Sequence, residues 1–230
     1  FIHPFNDPDV IAGQGTIGLE ILNQLPEADV VVVPIGGGGL IGGIAYTIKQ
    51  INPNCKVYGV QAAGAPSMKN SISDDKIETL ENVQTIADGI AVKTPGTNTF
   101  DLVKKYVDGI FTVTDDEIAL AILTLMEQQK LVSEGAGAVP VAAVMNGKIP
   151  DIQGKKVCCL VSGGNIDVTI LSRVIERGLK MGGRSASITI ALSDKPGQLL
   201  GVSKVIADNG ANVVSVNHDS TDLDMNITDC

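Results

Sequence analysis

The sequence predicts an α/β fold in which an open, largely parallel sheet carries helices and is followed by a small βαβ module. Residues 30–35 and 156–162 are nearly continuous apolar runs, which are typical of parallel strands covered on both faces. A glycine-rich loop and the start of a helix follow each run. Strands that alternate with helices in this way indicate a layered α/β architecture.

The elements follow one another with helical and strand periodicities that are easy to separate. The helix after residue 39 is stopped by an Asn-Pro-Asn sequence, and the helix after Thr114 begins with a Thr-x-x-Glu capping box. In chain order we predict a turn and amphipathic helix at 13–24, a strand at 30–35, a helix at 40–51, a strand at 56–61, helices at 114–130 and 136–145, a strand at 156–162 and a helix at 167–177.

The pattern changes at Gly178–Arg184, a glycine-rich and basic stretch that we interpret as a linker. Beyond it, Ser187–Leu192 alternates like a half-buried strand, Gln198–Asp208 is amphipathic, and Ala211–Val216 has the composition of a second strand. This order predicts a βαβ module that is cut short at Cys230.

Composition and charge exclude several function classes. The 230 residues carry 26 acidic and 17 basic side chains, a net charge of −9, and only 3% aromatic residues. Nucleic-acid binding is therefore not expected, because it needs a basic face and stacking aromatics. The uncharged window Val30–Ile48 contains Pro34 and six glycines, so we expect no membrane span. The N-terminus shows no export signal and the four cysteines no ligand spacing, which predicts a cytoplasmic protein without a metal site.

A run of four glycines, Gly36 to Gly39, lies between the first buried strand and a helix. Without Cβ atoms, several backbone N–H groups can close on an anion, and the helix dipole favours a phosphate there. The spacing of Gly37, Gly39 and Gly42 also fits a dinucleotide fingerprint, but Gln61 stands where that fingerprint needs an acidic residue. A nicotinamide-dependent oxidoreductase, and a loop that serves only close helix packing, remain as alternatives.

A second loop, Ser162-Gly163-Gly164-Asn165, also follows a buried strand and precedes a helix. Alone it would be an ordinary strand–helix turn. Ligands of open α/β sheets bind beyond the carboxyl ends of the strands, and both glycine loops are expected at that edge.

Five phrases in this order carry a resemblance: AGQGTIGLEI from Ala12, PIGGGGLIGGIA from Pro34, ADGIAV from Ala87, SEGAGAV from Ser133 and VSGGNID from Val161. Together they resemble the threonine dehydratases (threonine ammonia-lyases) of the fold-type II pyridoxal-phosphate enzymes. The resemblance covers residues 1–182, which it implies are the C-terminal portion of the catalytic domain. Residues 183–230, with their D-x-P-G-x-L phrase, resemble a truncated ACT (ferredoxin-like) regulatory module.

The resemblance implies pyridoxal 5'-phosphate as the cofactor and assigns roles to eight residues. Backbone amides of the glycine loop would hold the phosphate, namely those of Gly36, Gly37, Gly38, Gly39 and Leu40. Ser162 would contact the pyridine nitrogen, Gly89 would lie against the ring, and Glu134 would stand close to the cofactor, with a surface helix-start glutamate as its alternative. The implied reaction deaminates L-threonine, and L-serine more weakly, to a 2-oxo acid and ammonia.

The chain departs from the family pattern in three places. The S-F-K-x-R-G phrase that bears the cofactor lysine and the S-x-G-N-H phrase that holds the substrate carboxylate do not occur. No catalytic residue is therefore assigned, and we expect the 230 residues to be an inactive fragment of a longer chain. Gln61 and Ser67 stand where related serine racemases carry acidic metal ligands.

ACT modules pair edge to edge and bind amino acids, so the resemblance implies a homo-oligomer, a dimer or tetramer, with feedback by an effector such as isoleucine or valine. The expected effector residues are Lys195, Pro196, Gly197 and Asn212. The resemblance leaves two metabolic roles open for the whole protein, the biosynthesis of isoleucine and the catabolism of threonine. Serine dehydratase or serine racemase activity, and a non-catalytic ligand-binding or regulatory fragment, remain as alternatives.

Overall fold

The computed structural model describes residues 2–193, 195–218 and 227–229, the last three through their backbone alone. The chain divides into two compact units, residues 1–185 and 186–230. The helices are α1 (Pro8–Gln24), α2 (Gly39–Ile51), α3 (Ser67–Ser73), α4 (Thr97–Tyr106), α5 (Asp115–Thr124), α6 (Gly135–Met145), α7 (Val168–Met181) and α8 (Gln198–Asp208). The strands are β1 (Val30–Pro34), β2 (Lys56–Ala62), β3 (Gly109–Val113), β4 (Val157–Cys159), β5 (Ala191–Ser193) and β6 (Ile227–Asp229).

The first unit is built on a parallel sheet of four strands in the order β3-β2-β1-β4. Val31 of β1 lies opposite Val57 of β2 on one side and Cys158 of β4 on the other. The predicted α/β class and parallel sheet are confirmed. All four strands run the same way, so their carboxyl ends, and the loops after them, meet at one edge of the sheet.

Two apolar clusters cover the two faces of this sheet. Val30 and Val32 of β1 belong to the cluster under α5 and α6, whereas Val31 and Val33 belong to the cluster under α1, α2 and α4. Alternate residues of a strand point to opposite faces, so an all-apolar strand such as β1 requires cover on both sides.

The first helix is longer than predicted, because α1 begins at Pro8 and not after a turn at Gly13. Asp7 caps it, since its Oδ1 accepts a hydrogen bond of 2.9 Å from Asp9 N, and Pro8 occupies the first helical position. An Asp-Pro pair is a recognisable helix start, and we missed it.

Three glycines allow α1 and α2 to pack closely. A methyl group on Gly15 would lie 2.8 Å from Oγ1 of Thr47, and one on Gly18 would lie 3.1 Å from the Ile44 carbonyl oxygen. On the facing helix, a methyl group on Gly43 would overlap the Ile11 carbonyl oxygen. Two of the three glycines of the AGQGTIG phrase, Gly15 and Gly18, therefore serve helix packing.

Most other predicted elements of the first unit are confirmed within a few residues. The Thr114 capping box is present in both directions: Thr114 Oγ1 accepts from Glu117 N at 3.2 Å, and Glu117 Oε2 accepts from Thr114 N at 2.8 Å. The helix that follows changes to a π-helical turn at Leu125–Gln129 and ends at Lys130, which has a left-handed backbone with φ of 58°. Helix α7 continues to Met181, through most of the predicted linker.

The prediction of a fully buried strand at 156–162 was wrong. Strand β4 has three residues, all of them half-buried. Among the described strands it pairs only with β1, so one side of β4 lies at the edge of the sheet. The apolar side chains of β4 pack into the two apolar clusters on the faces of the sheet. They therefore give no information about whether another strand pairs with the free edge of β4.

The second unit differs most from the prediction. Helix α8 has the predicted bounds, but none of its residues is buried. The first predicted strand is reduced to β5, which pairs antiparallel with β6, and residues 211–218 are exposed without strand pairing. The predicted strand at Ala211–Val216 is therefore not formed, and the parallel pairing of a βαβ unit is not present among the described residues.

No helix within the described ranges is both long enough and apolar enough to cross a bilayer.

Asp108 joins the amino ends of β2 and β3 through three donors. Its carboxylate accepts 2.8 Å from Val57 N, 2.9 Å from Lys56 Nζ and 2.7 Å from Lys49 Nζ. Burial by itself would raise the pKa of Asp108, but the bonds from Lys49, Val57 and Lys56 outweigh it and hold that pKa below its ordinary value.

We expect Asp108→Asn to lower the free energy of unfolding at pH 7 by about 1 kcal/mol, allowing for partial exposure of the carboxylate. Since the folded state lowers this pKa, the contribution is present above about pH 4 and is lost as the pH falls further. Urea melts at several pH values between 3 and 7 should therefore converge for the two proteins at low pH. The control is Asp75→Asn, which removes an exposed ion pair with Lys104 and should change little. A constant difference between Asp108→Asn and the parent protein at every pH would contradict this assignment.

Candidate functional site

The candidate site lies at the carboxyl edge of the sheet, where the loops after β1 and β4 begin. These two strands are neighbours, with Val32 opposite Cys159, so the four-glycine loop and the Ser162 loop emerge side by side. The predicted convergence of the two loops follows from this pairing, because parallel neighbours end at the same edge.

The glycine loop presents backbone donors that nothing in the described part of the chain accepts. Gly37, Gly38 and Gly39 are buried, and α2 begins at Gly39 without a side-chain cap. No carbonyl or side chain of a described residue receives a hydrogen bond from the amides of Gly36 to Leu40. Buried backbone N–H groups are almost always paired, so this set of donors indicates a place for an anion at the helix N-terminus.

Three of the four glycines are also required by protein contacts or by the backbone conformation. A methyl group on Gly37 would overlap the ring of Phe5, and one on Gly39 would lie 2.7 Å from the Phe5 carbonyl oxygen. Gly38 has φ of 99°, a left-handed conformation that favours glycine. Close packing, the alternative function of this loop, therefore explains part of the need for glycine. It does not account for the backbone N–H groups of the loop that have no acceptor among the residues described.

Gly89 lies on a short 3₁₀ turn, Asp88–Ile90, that contacts the glycine loop and α6. A methyl group on Gly36 would lie 3.2 Å from Ile90 Cα and 3.5 Å from the Gly89 carbonyl oxygen. A methyl group on Gly89 itself would lie 3.1 Å from Cβ of Ala136 and 3.5 Å from Oε1 of Glu134. Gly89 is exposed, so it forms an open part of the same surface.

Glu134 links the Gly89 turn to the loop after β4. It is half-buried at the N-cap of α6, and a methyl group on Gly163 would overlap its carboxylate. Its backbone N–H donates to the Gly163 carbonyl oxygen at 3.1 Å. Buried Ser133 donates from Oγ to the Glu134 carbonyl oxygen at 3.0 Å, with the Gly163 oxygen at 3.3 Å. Glu134 is therefore a helix-start glutamate, as the alternative has it, but its side chain is half-buried against Gly163 and not fully at the surface.

The structure therefore brings the glycine loop, Gly89, Glu134 and the Ser162–Gly163 loop together in one continuous surface. Ser162 is exposed and directly precedes Gly163. No pattern in the sequence pointed to three supporting residues: Phe5 and Thr99 against the glycine loop, and Asp115, whose Oδ1 accepts 2.6 Å from Thr85 Oγ1 and 3.3 Å from Ile86 N before the Gly89 turn.

Gln61 and Ser67, the two neutral residues compared above with acidic metal ligands, are fully buried. Gln61 Oε1 accepts 2.8 Å from Lys69 N, and its Nε2 lies 3.4 Å from the Ile35 carbonyl oxygen. Ser67 Oγ has no hydrogen-bond partner among the described residues. The same part of the chain contains no group of three or more His, Cys, Asp or Glu side chains placed to hold a metal ion.

Lys195 and Gly197 line a small hollow of about 130 Å³ within the second unit. Its other walls are Leu192, Ser193, Gln198, Leu199 and His218. Pro196 and Asn212, the other two expected effector residues, do not line this hollow.

Comparison with known proteins identifies the family. Residues 1–163 match the model of the family described as pyridoxal-phosphate dependent enzyme. The chain belongs to the pyridoxal-phosphate-dependent enzymes. The L-threonine ammonia-lyase of Thermotoga maritima is 56% identical over 218 residues, which are 95% of this chain and 54% of that protein. The chain thus spans about half the length of this curated relative.

Two solved structures share the fold of this pyridoxal-phosphate-dependent enzyme. The processed form of threonine deaminase isoform 2 from Solanum lycopersicum superposes with a TM-score of 0.71 at 40% identity, covering 76% of this chain and 49% of that one. The serine racemase of Dictyostelium discoideum gives a TM-score of 0.68 at 39% identity, covering 73% of this chain and 53% of that one.

The cofactor of this pyridoxal-phosphate-dependent enzyme is pyridoxal 5'-phosphate, and the described site fits it. The buried, unpartnered amides after β1 suit its phosphate. The exposed faces of Gly89 and Ser162 lie on the same surface, where a flat ring can approach the backbone closely.

Proposed function

We propose that the whole protein deaminates L-threonine to 2-oxobutanoate and ammonia. The observation that carries this proposal is the convergence of the glycine loop, Gly89, Glu134 and the Ser162 loop on one surface at the carboxyl edge of the sheet. The 56% identity to an L-threonine ammonia-lyase supports the choice of reaction.

The glycine loop would bind the phosphate of the cofactor. The amides of Gly36 to Leu40 supply donors without charge, and the amino end of α2 adds positive potential. No lysine or arginine is needed for this, because several converging N–H groups are sufficient to hold an anion.

Ser162, Gly89 and Glu134 would set the environment of the ring. When bound, pyridoxal 5'-phosphate supplies an electron sink for the carbon that loses its proton. Ser162 would meet the pyridine nitrogen with a neutral hydroxyl, which moderates that sink and suits a β-elimination. Gly89 would leave room for the ring face, and the carboxylate of Glu134, which lies beside Gly89 and Gly163, would stand close to the ring.

The lysine that carries the cofactor would come from residues outside these 230, which contain no S-F-K-x-R-G phrase. We therefore propose that these 230 residues do not catalyse the reaction by themselves.

The proposal is tested with the whole protein, purified with pyridoxal 5'-phosphate and supplied with L-threonine or L-serine. We expect 2-oxobutanoate and ammonia from threonine, with kcat/KM about tenfold or more above that for serine, which lacks one methyl group. The 230-residue piece with the same cofactor is the control and should form no product. The serine racemase likeness makes D-serine the competing product. Formation of D-serine without ammonia would replace the proposal by racemisation.

For the second unit we propose an ACT-like regulatory role. The hollow lined by Lys195 and Gly197 offers an ammonium group and backbone to the carboxylate of an amino acid such as isoleucine or valine. The exposed apolar side chains of this unit, Leu200 and Val214 among them, are consistent with cover by a second copy in a homo-oligomer.

A further inference from the structure

We infer that Thr99 is a positioning residue that sets the direction of the Gly38 amide for the phosphate. This inference rests on the proposed role of the glycine loop and adds to it a residue outside that loop. Thr99 lies in the first turn of α4 and is fully buried.

Thr99 holds the carbonyl group of Gly37. Its Oγ1 lies 2.6 Å from the Gly37 oxygen and 3.0 Å from the Gly96 oxygen. A hydroxyl has one proton, and the shorter contact is the one to Gly37. The Gly37 carbonyl oxygen also accepts a hydrogen bond of 3.3 Å from Gly96 N, so both donors that hold this carbonyl group belong to the start of α4.

This bond determines where the next N–H points. In a planar trans peptide the C=O and the N–H on either side of the bond point in opposite directions. With the Gly37 oxygen turned toward Thr99, the Gly38 N–H is turned away from α4, and no described residue accepts from it. A flipped peptide would instead direct a carbonyl oxygen toward the anion.

A tether is needed here because the peptide joins two glycines. Glycine adopts positive and negative φ with similar ease, so Gly37 and Gly38 impose little preference of their own. Thr99 also packs against Gly38, whose added methyl group would lie 2.8 Å from Thr99 Cβ. The hydroxyl and the Cβ of one buried side chain thus restrain both sides of the peptide.

The test compares the affinity of the whole protein for pyridoxal 5'-phosphate and for pyridoxal, which has the same ring and aldehyde but no phosphate. In Thr99→Val we expect Kd for pyridoxal 5'-phosphate to rise about 3- to 10-fold, the usual effect of one hydrogen bond. Kd for pyridoxal should change less than about 2-fold. Thr99→Ser keeps the hydroxyl and should restore the ratio of the two affinities.

The matched control is Thr124→Val, which removes a similar hydroxyl bond, 2.8 Å to the Leu120 carbonyl oxygen, away from the loop. It should leave the ratio unchanged. If Thr99→Val does not fold, Thr99→Ala replaces it. An equal loss of affinity for both compounds, or an unchanged ratio, would overturn the role of Thr99. If the unmutated protein binds both compounds equally, the proposed phosphate site fails and this inference fails with it.

Discussion

Gly43→Ala should lower the free energy of unfolding by about 3 kcal/mol, the upper end of the usual cost of over-packing. Its new methyl group would overlap the Ile11 carbonyl oxygen and lie 2.8 Å from Gly15 N. Both atoms are backbone of α1, so no side chain can rotate to make room. Urea denaturation followed by circular dichroism measures the change.

Gly13→Ala is the matched control on the same pair of helices. Nothing lies within 4 Å of a methyl group at Gly13, which is exposed in the middle of α1. Alanine is the better helix residue, so this variant should be more stable by about 0.5–1 kcal/mol. A glycine-to-alanine substitution should therefore lower the free energy of unfolding at position 43 of α2 and raise it at position 13 of α1. If Gly43→Ala were as stable as the parent protein, the close packing of α1 on α2 would be wrong.

In the whole protein, Gly163→Ala should lower the proposed threonine turnover by about 100-fold while changing stability little. The added methyl group would overlap the Glu134 carboxylate and lie 2.8 Å from its Cδ. This is the far end of a flexible side chain, which can swing away from Gly89 without moving the backbone. A displacement of about 1 Å at a reacting centre can reduce a rate by about two orders of magnitude.

Glu134→Gln is the companion variant, because it keeps the volume of the side chain and removes its charge. If turnover depends on the position and charge of the Glu134 carboxylate, both variants should lose turnover. Both should also unfold close to the same urea concentration as the parent protein. Full activity in Glu134→Gln would show that the charge of the Glu134 carboxylate has no role at the proposed site. A large loss of stability in Gly163→Ala would assign Gly163 to packing.

The periodicity of the sequence was sufficient for much of the first unit. An uninterrupted apolar strand such as β1 is compatible with burial on both faces and little else, so the parallel sheet could be predicted. The capping box at Thr114 could also be predicted, because its two hydrogen bonds are made between residues three apart. The start of α1 was predictable in the same way from Asp7 and Pro8, although we placed it five residues too late.

The second unit could not be predicted to the same extent. Ala211–Val216 has the valine-rich composition of a strand, but a strand needs a partner, and no described residue pairs with this segment. Strand pairing depends on long-range contacts that local composition does not encode.

The sequence by itself determined the parallel α/β sheet and the two glycine loops at its carboxyl edge, and it predicted a phosphate as the ligand of the first loop. These conclusions depend on residues that are neighbours in the chain. Only the tertiary structure decided that Glu134 stands against Gly163, that Phe5 covers the glycine loop and that Thr99 turns the Gly37 carbonyl group. Each of these contacts joins segments about 30 to 60 residues apart in the chain, which only the packing of the folded chain brings together.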